Sequence, residues 1–163
     1  MSHRFHRLML VLCLTGACSS GKSSVPTPAP APPVVAGEPE KLRFSPQLGV
    51  DLQFMRQTAS GLYYLDSQLG KGAAAQPGSR VRVAYQGWLA DGTLFDANAQ
   101  GYQFLLGRRM VIPGWDEGIA GMKPGGHRLL VIRPSLAYGS RSPGAGIPPN
   151  ATLVFEVRLI SVQ

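Results

Sequence analysis

Apolar and polar positions alternate with a period of two in several stretches between Leu62 and Ser161, and one stretch between them changes to a helical spacing. The clearest alternation is Arg80-Val-Arg-Val-Ala-Tyr-Gln-Gly-Trp-Leu89. It sets Val81, Val83 and Tyr85 on one face and Arg80, Arg82 and Ala84 on the other, the pattern of a half-buried strand. Leu62–Leu69, Tyr102–Leu106, His127–Arg133 and Thr152–Ser161 read as further strands, about five in all. Asp91-Gly92 signals a tight turn, and Gly107 ends the strand that begins at Tyr102. Over Gly114–Met122 the spacing puts Trp115, Ile119 and Met122 on one helical face. Asp116 and Glu117 lie near its start, where the helix dipole favours anions. Pro113 precedes this helix, and Gly121 and Lys123-Pro-Gly-Gly126 stop it. A mostly antiparallel sheet of about five strands wrapped around one short helix is an α+β fold. It leaves an apolar cleft between sheet and helix, with Trp115 at its floor.

The chain before Leu62 divides by composition. Within residues 40–58, Leu48, Leu52 and Met55 fall near helical spacing, with Ser45 placed to cap and Pro46 at the first helical position. A short helix packed on the domain is expected there. Residues 18–39 are Ser/Gly-rich and then proline-rich, with Val25-Pro-Thr-Pro-Ala-Pro-Ala-Pro-Pro33 as an extended polyproline spacer. Residues 1–17 carry Arg4 and Arg7, a short apolar run Leu8–Leu14 and small residues before Cys18, the plan of a secretory signal peptide. That apolar run is too short to span a bilayer. Gly16-Ala17-Cys18 resembles the lipobox of bacterial lipoproteins, although Thr15 stands where that motif prefers a large aliphatic residue. The resemblance implies lipidation of Cys18, export, and anchoring to a membrane facing the periplasm; Ser19 after the cysteine points to the outer membrane.

Composition narrows the chemistry. The formal charge is +7, and cleavage after residue 17 leaves 14 basic against 9 acidic side chains. The basic residues are scattered without a run of five, so a nucleic-acid partner is not expected. Both cysteines, Cys13 and Cys18, lie near the N-terminus, and two of the three histidines, His3 and His6, lie in the leader. The globular region therefore has neither a disulfide nor the makings of a Cys/His metal site. Ser135 lacks a Gly-x-Ser-x-Gly frame, so a hydrolase triad with His127 and Asp96 is not supported. A region so poor in nucleophiles and paired carboxylates is suited to binding an apolar segment.

Five motifs carry a more specific message. They are Tyr85-Gln-Gly-Trp-Leu-Ala-Asp-Gly-Thr-Leu-Phe-Asp96, Val111-Ile-Pro-Gly-Trp-Asp-Glu-Gly118, Met122-Lys-Pro-Gly-Gly126, Leu136-Ala-Tyr-Gly139 and Ile147-Pro-Pro-Asn-Ala-Thr-Leu-Val-Phe-Glu-Val157. In this order, over residues 59–161, the chain resembles the FKBP-type peptidyl-prolyl cis-trans isomerases. The resemblance implies an FKBP-like fold over residues 59–163 and a pocket for Xaa-Pro segments needing no cofactor or metal. By motif it implies substrate-binding roles for Tyr85, Phe95, Tyr102, Phe104, Val111, Trp115, Ile147 and Phe155. It implies catalytic roles for Asp96, the Tyr138 hydroxyl and the Ile112 backbone N–H. Two departures stand out: Tyr102 replaces a frequent Phe, and Gly146 replaces a frequent aliphatic residue in a loop expected to form one wall of the pocket.

The implied partners are unfolded or proline-containing polypeptides, the membrane through Cys18, and macrolide inhibitors such as rapamycin; the chain is expected to act as a monomer. An Xaa-Pro bond prefers trans by only about 0.5–1 kcal/mol yet rotates over tens to hundreds of seconds. Its barrier of about 18–20 kcal/mol is lost amide resonance. A dry pocket withholds the water that favours the planar, charge-separated form, and one shaped to the twisted bond lowers the barrier through binding energy. The alternative reading is a binding module that holds such chains without turnover. An envelope lipoprotein that merely touches the wall or a partner is a third.

Overall fold

Alternation in Arg80–Leu89 and Leu153–Val162 sorts side chains to two faces of a six-stranded antiparallel sheet in the computed structural model, which describes residues 35–163. In chain order the strands are β1 (Arg56–Gln57), β2 (Tyr63–Gln68), β3 (Arg80–Leu89), β4 (Leu94–Leu105), β5 (His127–Ile132) and β6 (Leu153–Val162). Across the sheet they run β1-β2-β5-β6-β3-β4. The α-helix among the described residues, α1 (Pro113–Ile119), lies against the inner face. The signal peptide, Cys18 and the proline-rich run expected before residue 35 lie outside the described residues.

The inner face holds the main core. Val81 and Val83 of β3, Leu130 and Ile132 of β5, and Leu153, Phe155, Val157 and Leu159 of β6 pack with Trp115 and Ile119 of the helix. Helix and sheet meet closely because two helical positions have no side chain. A Cβ on Gly114 would stand 2.5 Å from Ile132, and one on Gly118 would stand 2.8 Å from Leu130. Pro113 occupies the first turn of the helix, where its missing N–H loses no helical bond.

Differences from the expected elements have local causes. The sixth strand, β1, is only two residues long. The fourth begins at Leu94 and not at Tyr102, running on directly from the turn at Asp91-Gly92, where Leu89 N–H donates to Thr93 O at 2.9 Å. Its first half has no regular alternation because it bulges: Val83 pairs with Tyr102 but Tyr85 with Asn98, and Asn98 Oδ1 accepts from the N–H of Gln100 and Gly101. The helix includes Pro113 and stops at Ile119, leaving Met122 buried just beyond it. No α-helix forms within residues 40–58. Two 3₁₀ turns, Pro46–Leu48 and Leu52–Phe54, stand in its place. Ser45 does precede Pro46 but makes no side-chain cap. Gly49, left-handed at φ 61°, ends the first turn after three residues, and Asp51 starts the second by accepting the Gln53 N–H.

This N-terminal segment nonetheless packs on the domain. Val131 and Val154 turn to the outer face of the sheet, and Tyr63 and Met55 cluster with them. Phe44, Leu48, Val50 and Leu52 cover that cluster. The cover is pinned by Ser45 N–H to Ala90 O at 2.8 Å and Gln47 Nε2 to Gly92 O at 3.0 Å. Residues 35–39, grouped with the spacer by composition, also join the domain: Ala36 bridges Ala151, and Val35 packs on the main core.

One buried cation ties helix to sheet. Arg128 on β5 pairs in a two-pronged fashion with Asp66 on β2, Nε to Oδ1 at 2.6 Å and the second nitrogen to Oδ2 at 3.0 Å. Its remaining nitrogen donates to Gly118 O at 2.8 Å and to Ala120 O at 3.3 Å, carbonyls at the end of α1, and the guanidinium lies over the Tyr64 ring. Arg128→Ala strands the Asp66 charge and both helix carbonyls. It is expected to lower stability by about 3 kcal/mol in urea unfolding, and Arg128→Lys, which cannot make the fork, should recover only part.

Candidate active site

Six segments converge on one depression above the helix. Tyr85 comes from β3, Phe95, Asp96 and Tyr102 from β4, and Met110, Val111 and Ile112 from the loop that enters α1; Trp115 comes from α1, Tyr138 from the segment after β5, and Phe155 from β6. They surround a cavity of about 200 Å³. That is below the roughly 300–1,000 Å³ usual for drug-sized ligands, and it suits a short piece of chain.

Trp115 forms the floor and is 5% exposed. Its ring meets Tyr85 edge-on at 4.8 Å between centroids and Phe155 at 5.2 Å, in T-shaped contacts. Its Nε1–H is sealed from solvent and has no acceptor among the described residues, so shape and ring contacts hold it in place. Phe95 stands edge-on to Phe155 at 5.5 Å. These two rings close over Gly87 of β3, where a Cβ would lie 2.6 Å from Phe155 and 2.9 Å from Phe95.

The polar groups sit around this aromatic floor. The Tyr85 hydroxyl donates to Asp96 Oδ2 at 2.7 Å across the β3–β4 pair. Burial pushes the Tyr85 phenol well above its usual range, and the hydrogen bond to Asp96 and that carboxylate's charge push it the same way. The Tyr138 hydroxyl is raised as well, first by burial and then by the charge on Asp96. Tyr138 is 41% exposed, and its hydroxyl has no partner among the described residues. Ile112 precedes the helix, and its carbonyl accepts from Trp115 N–H at 2.9 Å. Its own N–H donates to no group among the described residues, so the cavity offers two donors without acceptors.

The residues singled out by motif meet here with two exceptions. Phe104 lies behind the floor, 2% exposed, against Trp115 at 5.9 Å and stacked on Tyr102 at 5.8 Å. Ile147 packs in the main core and does not line the cavity; its carbonyl accepts from Ser142 Oγ at 2.6 Å within its own loop. Gly146 is not part of the lining either; it holds a left-handed turn at φ 77°. Two contributors were not anticipated. Met110, exposed, forms part of the rim. Asp116 accepts from the N–H of Gly107 at 2.8 Å and of Arg109 at 3.0 Å, which fixes the loop that presents Val111 and Ile112. Its place in the first helical turn was legible, but its loop partners were not.

Fold and site together define an FKBP-like domain. A sequence model of the FKBP-type peptidyl-prolyl cis-trans isomerases matches residues 71–160, and the chain belongs to that family. An FK506-binding protein of Neisseria meningitidis serogroup B is 48% identical over 105 residues, 63% of this chain and 96% of the relative. FK506-binding protein 4 of Rhizopus delemar is 51% identical over 106 residues, but the match spans 64% of this chain and 28% of that longer protein. Other fungal relatives are likewise matched over about a quarter of their length. Among solved structures, FkpA from Escherichia coli superposes with a TM-score of 0.62 at 43% identity, covering 67% of this chain and 51% of that one. AtFKBP13 gives the same TM-score at 34% identity, with 67% and 98% covered.

The phenol environments make a pH prediction. A tyrosine whose folded pKa lies above its unfolded value of about 10 keeps its proton longer in the folded state, so its contribution is intact below about pH 10 and is lost as pH rises through the folded value. Ultraviolet titration of the tyrosines should show Tyr85 among the last to ionise, and Tyr85→Phe should delete that late step. The same substitution should flatten the fall in stability above about pH 10.

Proposed function

We propose that this protein is a peptidyl-prolyl cis-trans isomerase that accelerates rotation about Xaa-Pro bonds in exported polypeptides. The observation that carries the reading is the cavity itself: an aromatic floor of Trp115, Phe155 and Phe95, with two donors at its edge that have no acceptor among the described residues. The proline ring sits on the Trp115 indole, and the residue before it lies toward the rim at Tyr102 and Met110.

In this reading no proton is transferred and no covalent bond forms. Twisting the imide bond interrupts resonance, so charge withdraws from the carbonyl oxygen and the nitrogen becomes a better acceptor. Water favours the planar form, and the aromatic walls exclude it from one side of the bond. The Tyr138 hydroxyl and Ile112 N–H hold the flanking carbonyls of the substrate, which orients the chain for rotation. Asp96 fixes the Tyr85 ring through the 2.7 Å hydrogen bond, and its carboxylate faces the substrate carbonyl without donating to it. Binding energy spent on the twisted geometry lowers the barrier more than it stabilises either planar isomer.

The signal-peptide plan of residues 1–17 and the lipobox-like Gly16-Ala17-Cys18 support a setting at a membrane facing the periplasm, where slow proline isomerisation can limit the folding of arriving chains. A macrolide such as rapamycin places only part of its ring in this small cavity and competes there with peptide.

The test is cis–trans exchange of a Leu-Pro or Phe-Pro peptide, followed by NMR. Wild-type protein should accelerate exchange and rapamycin should block it. Tyr138→Phe, which removes one hydrogen bond, should lower kcat/KM about three- to tenfold with the fold retained. Asp96→Ala should cost at least as much. Absence of acceleration by folded wild-type protein, with peptide still bound, would replace catalysis with a holding role.

A further inference from the structure

The wall that carries Tyr138 is a loop with two roots, and one short segment holds both. That segment, Ala36 to Glu38, lies well before residue 71, where the family match begins. The first root is Arg133, immediately before the 3₁₀ turn Pro134–Leu136 that leads to Tyr138. Arg133 Nε donates to Glu38 Oε2 at 2.9 Å, and a second guanidinium nitrogen stands 2.6 Å from the same oxygen. The second root is Asn150. Its N–H donates to Gly139 O at 2.7 Å, closing the loop directly beside Tyr138, and its carbonyl accepts the Gly37 N–H at 2.8 Å. Ala36 bridges Ala151, and the hydroxyl of fully buried Thr152 donates to the Gly37 carbonyl.

Between its roots the loop makes its hydrogen bonds to itself, while Leu136, Ala137 and Ile147 rest on the main core. Ile147 N–H donates to Gly144 O at 3.0 Å, and Ser142 bridges the same turn. Such bonds keep the shape of the tip without setting its place over the helix. Asn150 holds φ 56°, a left-handed conformation that asparagine tolerates better than most residues and that its neighbours must maintain. Apolar packing seats the base of the loop, and placement of the Tyr138 hydroxyl at its exposed end depends in addition on the roots.

We infer that Ala36, Gly37 and Glu38 form a clamp that positions Tyr138, with Thr152 and Arg133 as its receivers; this rests on the isomerase reading above. The functional unit then begins near residue 35. Thr152, Arg133 and Glu38 are positioning residues, since they act through the loop and do not reach the cavity lining.

The experiment compares full-length Glu38→Gln, Thr152→Val and the double variant with Thr152→Ser, which keeps the hydroxyl. Leu52→Ala is the control: it weakens the cover on the outer face and touches neither root. Separate kcat and KM values on a Leu-Pro peptide are read beside hydrogen exchange at the Asn150 amide. The double variant should lose about three- to fivefold in kcat with little change in KM, no more than removal of the Tyr138 hydroxyl costs. Its Asn150 amide should exchange about tenfold faster, an opening of the loop alone. Thr152→Ser should match wild type, and Leu52→Ala should lower the melting temperature with kcat and Asn150 exchange within about twofold of wild type. Should the double variant not fold, Glu38→Gln alone, at a partly exposed carboxylate, carries the same readouts. Wild-type kcat and Asn150 protection in the folded clamp variants would overturn the inference, as would an equal loss in Leu52→Ala. If wild-type protein proves inactive, the isomerase reading falls, and Asn150 protection alone decides whether the clamp exists.

Discussion

Close approach of helix to sheet is the constraint from which the rest follows. Gly114 and Gly118 let the backbone of α1 come down on Ile132 and Leu130, and any side chain there would have to displace those two. At that depth Trp115 reaches Phe155 and Tyr85 on the sheet, and the three rings build a floor. A larger residue at either glycine crowds the seam that holds the aromatic floor against the sheet. Arg128 bolts the same joint from the far end, where it collects the helix carbonyls and Asp66. Core packing and site geometry are thus one arrangement.

Polarity in the cavity is sparse and unevenly satisfied. Tyr85 and Asp96 are committed to each other, whereas Tyr138 and the Ile112 N–H have no acceptor among the described residues. A polar group left unpaired in a folded protein has a free-energy cost unless solvent or ligand satisfies it. These two lie at an opening, where that cost is small in the free protein and where an extended chain can take the place of water.

The sequence was readable wherever one residue's neighbours along the chain decide its environment. The strict alternation at Arg80–Val83 announced β3, and both ends of that strand fall where the pattern put them. Trp115, Phe155 and Tyr85 were identifiable because their motifs keep fixed spacing. The first half of β4 was not readable, since a bulge at Asn98 breaks the period and most of its residues face solvent. The N-terminal cover showed the right apolar residues but the wrong secondary structure, because Gly49 and Asp51 divide one expected helix into two turns. Phe104 and Ile147 are assigned to the cavity by motif, yet both pack in the main core and neither lines it. Contacts such as Arg133 with Glu38, ninety-five positions apart, leave no local signature at all.

Strand order has a temporal meaning. The sheet runs β1-β2-β5-β6-β3-β4, so β6 joins two halves that have no ladder to each other without it. Synthesised from the N-terminus, the chain makes β3, β4 and the helix long before the segment that unites them emerges. Until then the hairpin β3–β4 exposes an unsatisfied edge, the helix has only part of its seat, and the aromatic floor lacks Phe155. Maturation is therefore a late, concerted event, slow by virtue of its distant pairings, and a nascent molecule stays vulnerable to aggregation until residues Leu153–Val162 have been delivered.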